Sequence, residues 1–368
     1  METTSLPRPT APAPDAGEAP PILSAEKVAS MLRHLLDRGP RDAAELAALR
    51  QLPTQKALRE TLLRSEEFAR LHRAATRHSG GYAMPLFMLR PPADRAVPWR
   101  FTEPSLADPV TQLCTAAQMQ GPDHARWCGL MKVAPRQHRK QWEFAWILAA
   151  LEKAGLLRPG LRALGFGTGR ERLPCVLAGL GLSVTASDAP PEVVAGQGWA
   201  SSQQYSSALE QLHHRDLIDR ERFLQSVSFR QVDMNAIPDD LRGYDVCWSA
   251  CALEHLGSLA HGLDFIRASL ATLRPGGLAL HTTEFNLGSD EETLEARSLS
   301  LFRKRDIEGL ASRLIAEGHE VWPLNFHPGH ALADIYVDTP PYSSPHLKLQ
   351  AAGHVVTSIG IAVRKRGG

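Results

Sequence analysis

The residues with the clearest chemical signature are three glycines, Gly165, Gly167 and Gly169. They follow a short apolar run and precede a helical pattern, so they lie at a predicted strand-to-helix turn. Glycines at such a turn allow a sharp bend and let the backbone approach a ligand without an intervening Cβ. In an open α/β sheet, this turn lies at the carboxyl ends of the strands, where ligands bind. The sequence therefore predicts a ligand-binding loop.

Asp188 ends the next predicted strand, about 20 residues after the loop. A carboxylate at this position can accept two hydrogen bonds from ribose hydroxyl groups. A dinucleotide fingerprint would require the spacing G-x-G-x-x-G. The third position of that pattern is Arg170 when it starts at Gly165, and Arg172 when it starts at Gly167. The spacing therefore disfavours a nicotinamide oxidoreductase.

Three further motifs follow in order along the chain. Asp233-Met234 follows the third predicted strand, and the fourth strand, Tyr244–Ser249, runs into Ala250–Leu256. Leu273–Gly277 has the form L-x-P-G-G and lies just before the fifth strand. Proline and glycine favour a turn, so this motif predicts the turn that leads into that strand. Together with the glycine loop and the acid after it, this series resembles the class I S-adenosylmethionine (SAM) dependent methyltransferases.

The resemblance implies that SAM is the cofactor and that the glycine loop and Asp188 hold it. It places Asp233 near the adenine amino group, Met234 on the adenine ring and Ser249 beside the methionine part of SAM. Many members of the family carry an acid two residues before the loop, where this chain has Ala163. Glu171, just after the loop, is the candidate to make the missing contact.

Methyl transfer from a sulfonium is an in-line displacement that often requires a base to take a proton from the acceptor. His255 follows the fourth strand, and His281 and Glu284 lie at the end of the fifth, so we predict catalytic roles for these three residues. A divalent metal held by them and Glu254 is a weaker alternative, because no ligand motif with tight spacing supports it. We therefore predict no metal.

Much of residues 110–365 also resembles a narrower group of uncharacterised bacterial methyltransferases, often associated with surface-glycan or secondary-metabolite genes. The resembling segments are His138–Glu143, Leu164–Gly167, Glu254–Ser258, His281–Asn286 and Thr357–Gly360. The basic run 136–140 could meet a phosphate, and the long stretch 327–354 mixes rings and acids that suit a hydroxylated acceptor. The substrate residues predicted from these stretches are His138, Arg139, Trp142, Glu254, Asp334, Tyr336 and Tyr342.

The elements that position these residues alternate between strands and helices from residue 136 onward. This alternation predicts a Rossmann-like class I methyltransferase sheet with helices on both faces. Two last strands, Glu320–Phe326 and Val355–Val363, are predicted to form an antiparallel pair at one edge. We expect a disordered tail over 1–23, a helical N-terminal module over 24–75, a connector over 76–135 that packs on the catalytic domain, and a SAM-binding domain over 136–368. Residues 24–75 resemble a helical module found beside bacterial glycosyltransferases and methyltransferases.

Composition narrows the classes of partner. The chain has 41 Lys+Arg and 40 Asp+Glu, and this balance lacks the basic excess typical of proteins that bind nucleic acid. No apolar run approaches the roughly 20 residues of a membrane span, and the N-terminus lacks a signal-peptide pattern. Five cysteines without C-x-x-C spacing favour a reducing compartment, so we expect a cytoplasmic protein. The sequence leaves open whether the protein forms a homodimer.

These observations predict a SAM-dependent methyltransferase with a polar small-molecule or glycan acceptor. O-methylation with a histidine base is favoured over N-methylation. The alternative is a SAM-binding scaffold or regulatory protein, which would bind SAM but release no S-adenosylhomocysteine (SAH).

Overall fold

A computed structural model describes residues 23–36, 38–65, 67–68, 81–191, 193, 208–340 and 342–367. It divides the chain into two compact units, residues 1–73 and 74–368. The predicted tail, apart from residue 23, lies outside the described residues. Residues 192 and 194–207 also lie outside them. Within the described parts, no helix combines the length and the apolar character needed to cross a membrane.

The described residues of the first unit include the helices α1 (Ala25–Leu36), α2 (Ala43–Arg50) and α3 (Gln55–Leu63). Hydroxyl or carboxylate side chains cap all three starts, because Ser24, Asp42 and Thr54 accept hydrogen bonds from backbone N–H groups two or three residues inside the helices. Apolar residues spaced four apart form the core of this unit: Val28, Leu32, Leu36, Leu58 and Leu62. The small N-terminal helical region of the predicted fold is confirmed.

The second unit is built on one large sheet. Its strands are β1 (Trp99–Arg100), β2 (Thr111–Leu113), β3 (Arg162–Phe166), β4 (Ser183–Asp188), β5 (Val227–Gln231), β6 (Tyr244–Ala250), β7 (Leu273–Asn286), β10 (Glu320–Val321), β11 (Leu324–Asn325), β12 (Val337–Asp338), β13 (Lys348–Ala351) and β14 (His354–Arg364). A separate two-stranded ribbon pairs β8 (Glu295–Ala296) with β9 (Leu299–Ser300).

The sheet has the order β1-β11-β2-β14-β7-β6-β3-β4-β5. Strands β3 to β7 are parallel, and the order β5-β4-β3-β6-β7 reverses direction between β3 and β6. This is the doubly wound arrangement, whose ligand crevice lies at the carboxyl ends of the strands beside that switch point. The glycine loop follows β3, so the fold places it in the crevice.

Two helical layers cover the sheet. Their helices are α4 (Ala116–Gln120), α5 (Pro122–Leu130), α6 (Arg139–Lys153), α7 (Leu173–Gly179), α8 (Arg220–Ser226), α9 (Leu259–Ser269), α10 (Lys304–Ala316) and α11 (Leu332–Ile335). Successive residues of β3 face opposite sides: Ala163 joins the core that contains α6 and α7, and Leu164 joins the core that contains α9 and α10. The predicted Rossmann-like sheet with helices on both faces is confirmed.

The antiparallel strand is also present, since β14 pairs antiparallel with both β7 and β10. The sheet continues past β14 through β2, β11 and β1. Strands β1 and β2 come from the stretch 76–135, which was predicted as an irregular connector. These strands are only two and three residues long, too short to show an alternating pattern.

Candidate active site

The glycine loop needs glycine for reasons of space and backbone angle. Gly167 and Gly169 have φ values of +57° and +50°, in the left-handed region. A Cβ on Gly165 would lie 2.4 Å from Thr168 Cγ2, and one on Gly167 would lie 2.8 Å from Ala252 Cβ. The loop backbone is therefore packed closely against the residues that follow β6.

Ser187 fixes the loop to the neighbouring strand β4. The Thr168 amide donates to the Ser187 carbonyl at 2.9 Å, and the Ser187 hydroxyl donates to the Gly165 carbonyl at 2.7 Å. The next residue, Asp188, is only 5% exposed, and its carboxylate accepts a hydrogen bond from the Ala189 amide at 2.9 Å. The acid predicted to bind ribose hydroxyls is thus held beside the loop.

Glu171 lies in the same region and accepts a 2.6 Å hydrogen bond from the indole N–H of Trp248. Burial raises the pKa of Glu171 to about 8, and the charges of Asp188 and Glu143 also act to raise it. This shift favours the protonated form of Glu171.

Two residues after β5 were predicted to contact adenine. The Met234 sulfur lies 3.5 Å from the position that a Cβ on Gly167 would take, so this side chain reaches the glycine loop. Asp233 is half-buried and accepts a hydrogen bond from the Asn235 amide at 2.9 Å. The structure brings Met234 to the loop and leaves Asp233 at the adjoining turn.

Ser249 and His281 face the helical layer of α9. The ring of His281 is 0% exposed, its Nδ1 is 2.8 Å from Ser249 Oγ and its Nε2 is 3.0 Å from Ser269 Oγ. Burial lowers the pKa of His281 to about 3, so the imidazole is neutral. With both nitrogens engaged inside the core, His281 is not brought to the crevice as a base. Ser249 holds this histidine.

Arg139 and Glu284 meet in a buried group of polar side chains that we call the carboxylate cluster. Its members are Arg139 and Glu143 of α6, Cys251 and Glu254 after β6, Glu284 of β7, and Ser358 of β14. Arg139 Nη2 is 2.5 Å from Glu284 Oε1, and Arg139 Nη1 donates to Ser358 Oγ at 3.1 Å. Glu143 Oε1 accepts from the Cys251 thiol at 2.9 Å and from the Ser358 hydroxyl at 2.5 Å.

The cluster contains polar atoms that no described residue satisfies. Four of them are buried without a hydrogen-bond partner: Arg139 Nε, Glu143 Oε2, Glu254 Oε1 and Glu284 Oε2. Burial raises the pKa of Glu284 even with Arg139 beside it. For Glu143, burial is outweighed by the charges of Lys140 and Arg139, which lower the pKa. Unpaired buried polar atoms are uncommon in folded proteins, and they indicate a place for a ligand or for water.

The cluster adjoins the glycine loop through the backbone after β6. Ala252 packs on Gly167, and its neighbour Cys251 belongs to the cluster. Cys251 has a φ of +46°, an uncommon angle for a residue with a side chain, which marks a strained turn at this point. The glycine loop and the cluster therefore adjoin each other at the carboxyl edge of the sheet.

His255 directly follows Glu254, a member of the carboxylate cluster. Its Nδ1 is 2.6 Å from the Ser298 carbonyl, which can only accept, so Nδ1 carries the proton. The basic nitrogen is then Nε2, which lies 3.9 Å from Glu254 Oε1. This geometry suits a general base held in one orientation.

The segment around Tyr342 lies over the start of α6. The His138 ring caps α6 by accepting from the Lys140 amide and lies 4.6 Å from the ring of His346. Burial lowers the pKa of His138 to about 4. Tyr342 is 47% exposed, and the charges of Arg139 and Glu284 act on it with opposite signs. His138 and Tyr342 therefore lie near the cluster.

Three other predicted substrate residues are not brought there. Trp142 is 0% exposed and donates from Nε1 to Gln118 Oε1 at 2.8 Å, inside the core. Asp334 is 1% exposed, accepts from the Ala116 amide and forms an ion pair with Lys348 at 3.6 Å. Both are placed as structural residues. Tyr336 is 43% exposed just past α11, and its predicted role stays a prediction.

Sequence reasoning assigned no role to Glu143, Cys251 or Ser358. A signal was available for Glu143, because an acid four residues after Arg139 on an otherwise apolar helix face suggests an ion pair pointing inward. The ligand atoms of Cys251, Glu254 and Glu284 lie within 4.8 Å of one another. This metal-like group differs from the one considered from the sequence, because His281 lies elsewhere.

Comparisons with known proteins give a likeness of structure and none of sequence. No protein-family model matches the chain, and no curated protein sequence matches it. Many solved structures similar to it are SAM-dependent methyltransferases. The complex of DhpI with SAH is 19% identical, with 66% of this chain and 93% of that chain covered and a TM-score of 0.34.

Two further solved structures are similar to parts of this chain. The magnesium protoporphyrin IX methyltransferase ChlM from Synechocystis PCC 6803, with bound SAH, is 13% identical over 61% of this chain and 83% of that chain, with a TM-score of 0.37. The [4+2]-cyclase SpnF is 18% identical over 61% and 84%, also with a TM-score of 0.37. Likeness at this level does not decide the reaction, which has to be argued from this chain's own residues.

Proposed function

We propose that this protein is a SAM-dependent methyltransferase that transfers a methyl group to oxygen of a polar small-molecule or glycan acceptor. The observation that carries the proposal is the glycine loop itself. Gly167 has a left-handed backbone closed in by Ala252 and Met234, and Asp188 is held beside it at the end of β4. A Cβ on Gly167 would fill the space beside this loop. The Asp188 carboxylate can accept hydrogen bonds from the hydroxyl groups of a ribose.

Each residue of the crevice has a definite task in this proposal. Asp188 accepts hydrogen bonds from the ribose hydroxyls, and Met234 packs against the adenine ring. Asp233 accepts a hydrogen bond from the adenine amino group. Glu171, whose raised pKa favours the protonated form, can donate a hydrogen bond as well as accept one. SAM supplies an electrophilic methyl group on sulfur.

The base of the proposed reaction is His255. Its Nδ1 proton is fixed by the Ser298 carbonyl, so Nε2 can take the proton from an acceptor hydroxyl. His281 is not assigned this role, because both its ring nitrogens are engaged in the core. Glu254 and Glu284 lie on the acceptor side, in the carboxylate cluster.

Cofactor binding is tested by calorimetric titration of the purified chain with SAH. Asp188→Asn keeps the shape of the side chain and removes its charge. A hydrogen bond to a charged group contributes about 1.5–3 kcal/mol, so we expect SAH affinity to fall about tenfold to a hundredfold. Asp240→Asn is the matched control, since Asp240 is an exposed acid paired with Arg230. Equal affinity in all three proteins would refute the proposed site.

The base is tested by SAH release after an acceptor has been found in a panel of sugars and other hydroxylated molecules. His255→Ala is expected to lower kcat about 100-fold or more while SAH affinity is kept, because general-base catalysis contributes about 10²–10⁴. His261→Ala, which removes an exposed histidine on α9, is the control. An unchanged kcat in His255→Ala would contradict the assignment, and SAH binding without release for any acceptor would favour a scaffold.

A further inference from the structure

We infer that the carboxylate cluster is an acceptor subsite that holds a primary ammonium group, so that the acceptor of this enzyme carries an amine beside the oxygen that is methylated. The inference rests on the proposed methyltransferase function. It adds the chemical class of the acceptor, which the fold alone does not give.

Three of the four cluster atoms that lack a hydrogen-bond partner are carboxylate oxygens, on Glu143, Glu254 and Glu284, which can accept from an ammonium group. These residues are at most 8% exposed. A primary ammonium offers three N–H donors and no acceptor. Leaving a buried carboxylate oxygen without a partner is costly, and each charged donor placed there would remove such a cost.

The charge of the cluster favours a cation over a neutral ligand. When all groups are ionised, the carboxylates of Glu143, Glu254 and Glu284 face the two cations Arg139 and Lys140, which leaves one negative charge. The charges of Glu254 and Glu143 accordingly act with burial to raise the pKa of Glu284, and a bound cation would offset them. Neutral sugar hydroxyls could satisfy hydrogen bonds but would not balance this charge. In a buried site, an uncompensated charge is unfavourable, so a cationic group is the better fit.

A divalent metal fits the same atoms less well. Arg139 Nη2 already lies 2.5 Å from Glu284 Oε1, and Nη1 lies 3.8 Å from the Cys251 sulfur. A divalent ion would therefore place two positive charges beside a guanidinium cation, where an ammonium group would place one. Burial also raises the pKa of the Cys251 thiol, whereas a metal ligand must be a thiolate.

The position of the cluster suits an acceptor. Cys251 precedes Ala252, which packs against Gly167, so the cluster begins one residue from the contact with the glycine loop. An ammonium group has no lone pair and cannot itself attack the methyl group. The amine therefore anchors the acceptor, and a neighbouring hydroxyl reacts with the help of His255.

Matched pairs of small molecules test the inference, with calorimetry at pH 7 in the presence and absence of saturating SAH. The pairs are ethanolamine with ethylene glycol and D-glucosamine with D-glucose, which differ mainly in the amine. We expect the amines to bind in the millimolar range and their neutral partners to bind at least tenfold more weakly. Amines that bind no better than the neutral molecules would overturn the inference.

The variant Glu254→Gln tests whether the amines bind in the carboxylate cluster. Glutamine keeps the volume and can still accept from the Thr283 hydroxyl, which lies 3.1 Å from Glu254 Oε2. Amine affinity is expected to fall about tenfold or more, with SAH affinity within twofold of wild type. Glu291→Gln, at a side chain that is 78% exposed, is the control for loss of a charge.

The remaining outcomes separate the inference from the function on which it rests. Loss of SAH binding in Glu254→Gln would assign the cluster to the cofactor and overturn the inference while the methyltransferase proposal stands. If the wild type bound Zn²⁺ or Mn²⁺ at micromolar concentration and Glu254→Gln did not, the cluster would be assigned as a metal site and the ammonium inference would be overturned. Failure of the wild type to bind SAH would refute the proposed function, whatever the amines do.

Discussion

Replacing His281 by alanine separates a structural histidine from a catalytic one. The ring is fully buried between β7 and α9 and is hydrogen-bonded to Ser249 and Ser269. Removing it opens a cavity of imidazole size and takes a partner from each of the two buried hydroxyls. Cavity and hydrogen-bond losses of this kind total roughly 3–6 kcal/mol. This is a large part of the about 5–15 kcal/mol that stabilises a typical domain.

The assay is urea unfolding of wild type and His281→Ala followed by circular dichroism, repeated from pH 4 to pH 8. The folded pKa of His281 is about 3, below the usual value of 6.5. The unfolded chain therefore takes up a proton below pH 6.5 that the folded chain does not, so wild type loses stability as pH falls from 6.5 toward 3. The variant lacks this contribution, and the difference between the two proteins should shrink in acid.

Folded His281→Ala should retain SAH affinity and most of its turnover, because the ring does not reach the crevice. A variant within about 1 kcal/mol of wild type in unfolding free energy that nevertheless lost turnover would refute this reasoning. In that case, His281 would be the base.

Three further variants test other parts of the structure. Gly167→Ala places a Cβ 2.8 Å from that of Ala252 at a φ of +57°, so we expect a loss of roughly 2–4 kcal/mol and weakened SAH binding, measured by unfolding and calorimetry. Glu171→Gln removes a group whose pKa is raised to about 8; wild-type stability should fall as pH rises from about 4.5 to 8, and the variant should show a flatter profile in urea unfolding. Gly360→Ala would place a Cβ 2.4 Å from the ring of Trp146, and a lowered Tm, by several degrees or more, should follow without a change in SAH affinity once folded. An unchanged Tm would contradict this close packing of β14 on α6.

The parallel sheet and its ligand crevice could be predicted because their signals are local. The glycine loop, the acid at the end of β4 and the strands between them follow one another within a short stretch, and each has its own pattern. The short strands β1 and β2 carried no such pattern. They form because β14 and β11 offer them backbone partners, which is a property of the tertiary structure.

The carboxylate cluster could not be predicted as a unit. Arg139, Glu284 and Ser358 are far apart in sequence and meet only because α6, β7 and β14 pack together. His281 illustrates the reverse error: its place near the end of a strand suggested the crevice, but side chains alternate along β7 and its ring points to the helical layer of α9.

A crystal structure of the protein with SAH would test the central claim most directly. The account predicts that the ribose hydroxyls lie within about 3.2 Å of the Asp188 carboxylate, that the adenine lies against Met234, and that the sulfur lies on the side of Cys251 and Glu254. SAH bound at another place, or with its ribose turned away from Asp188, would contradict it.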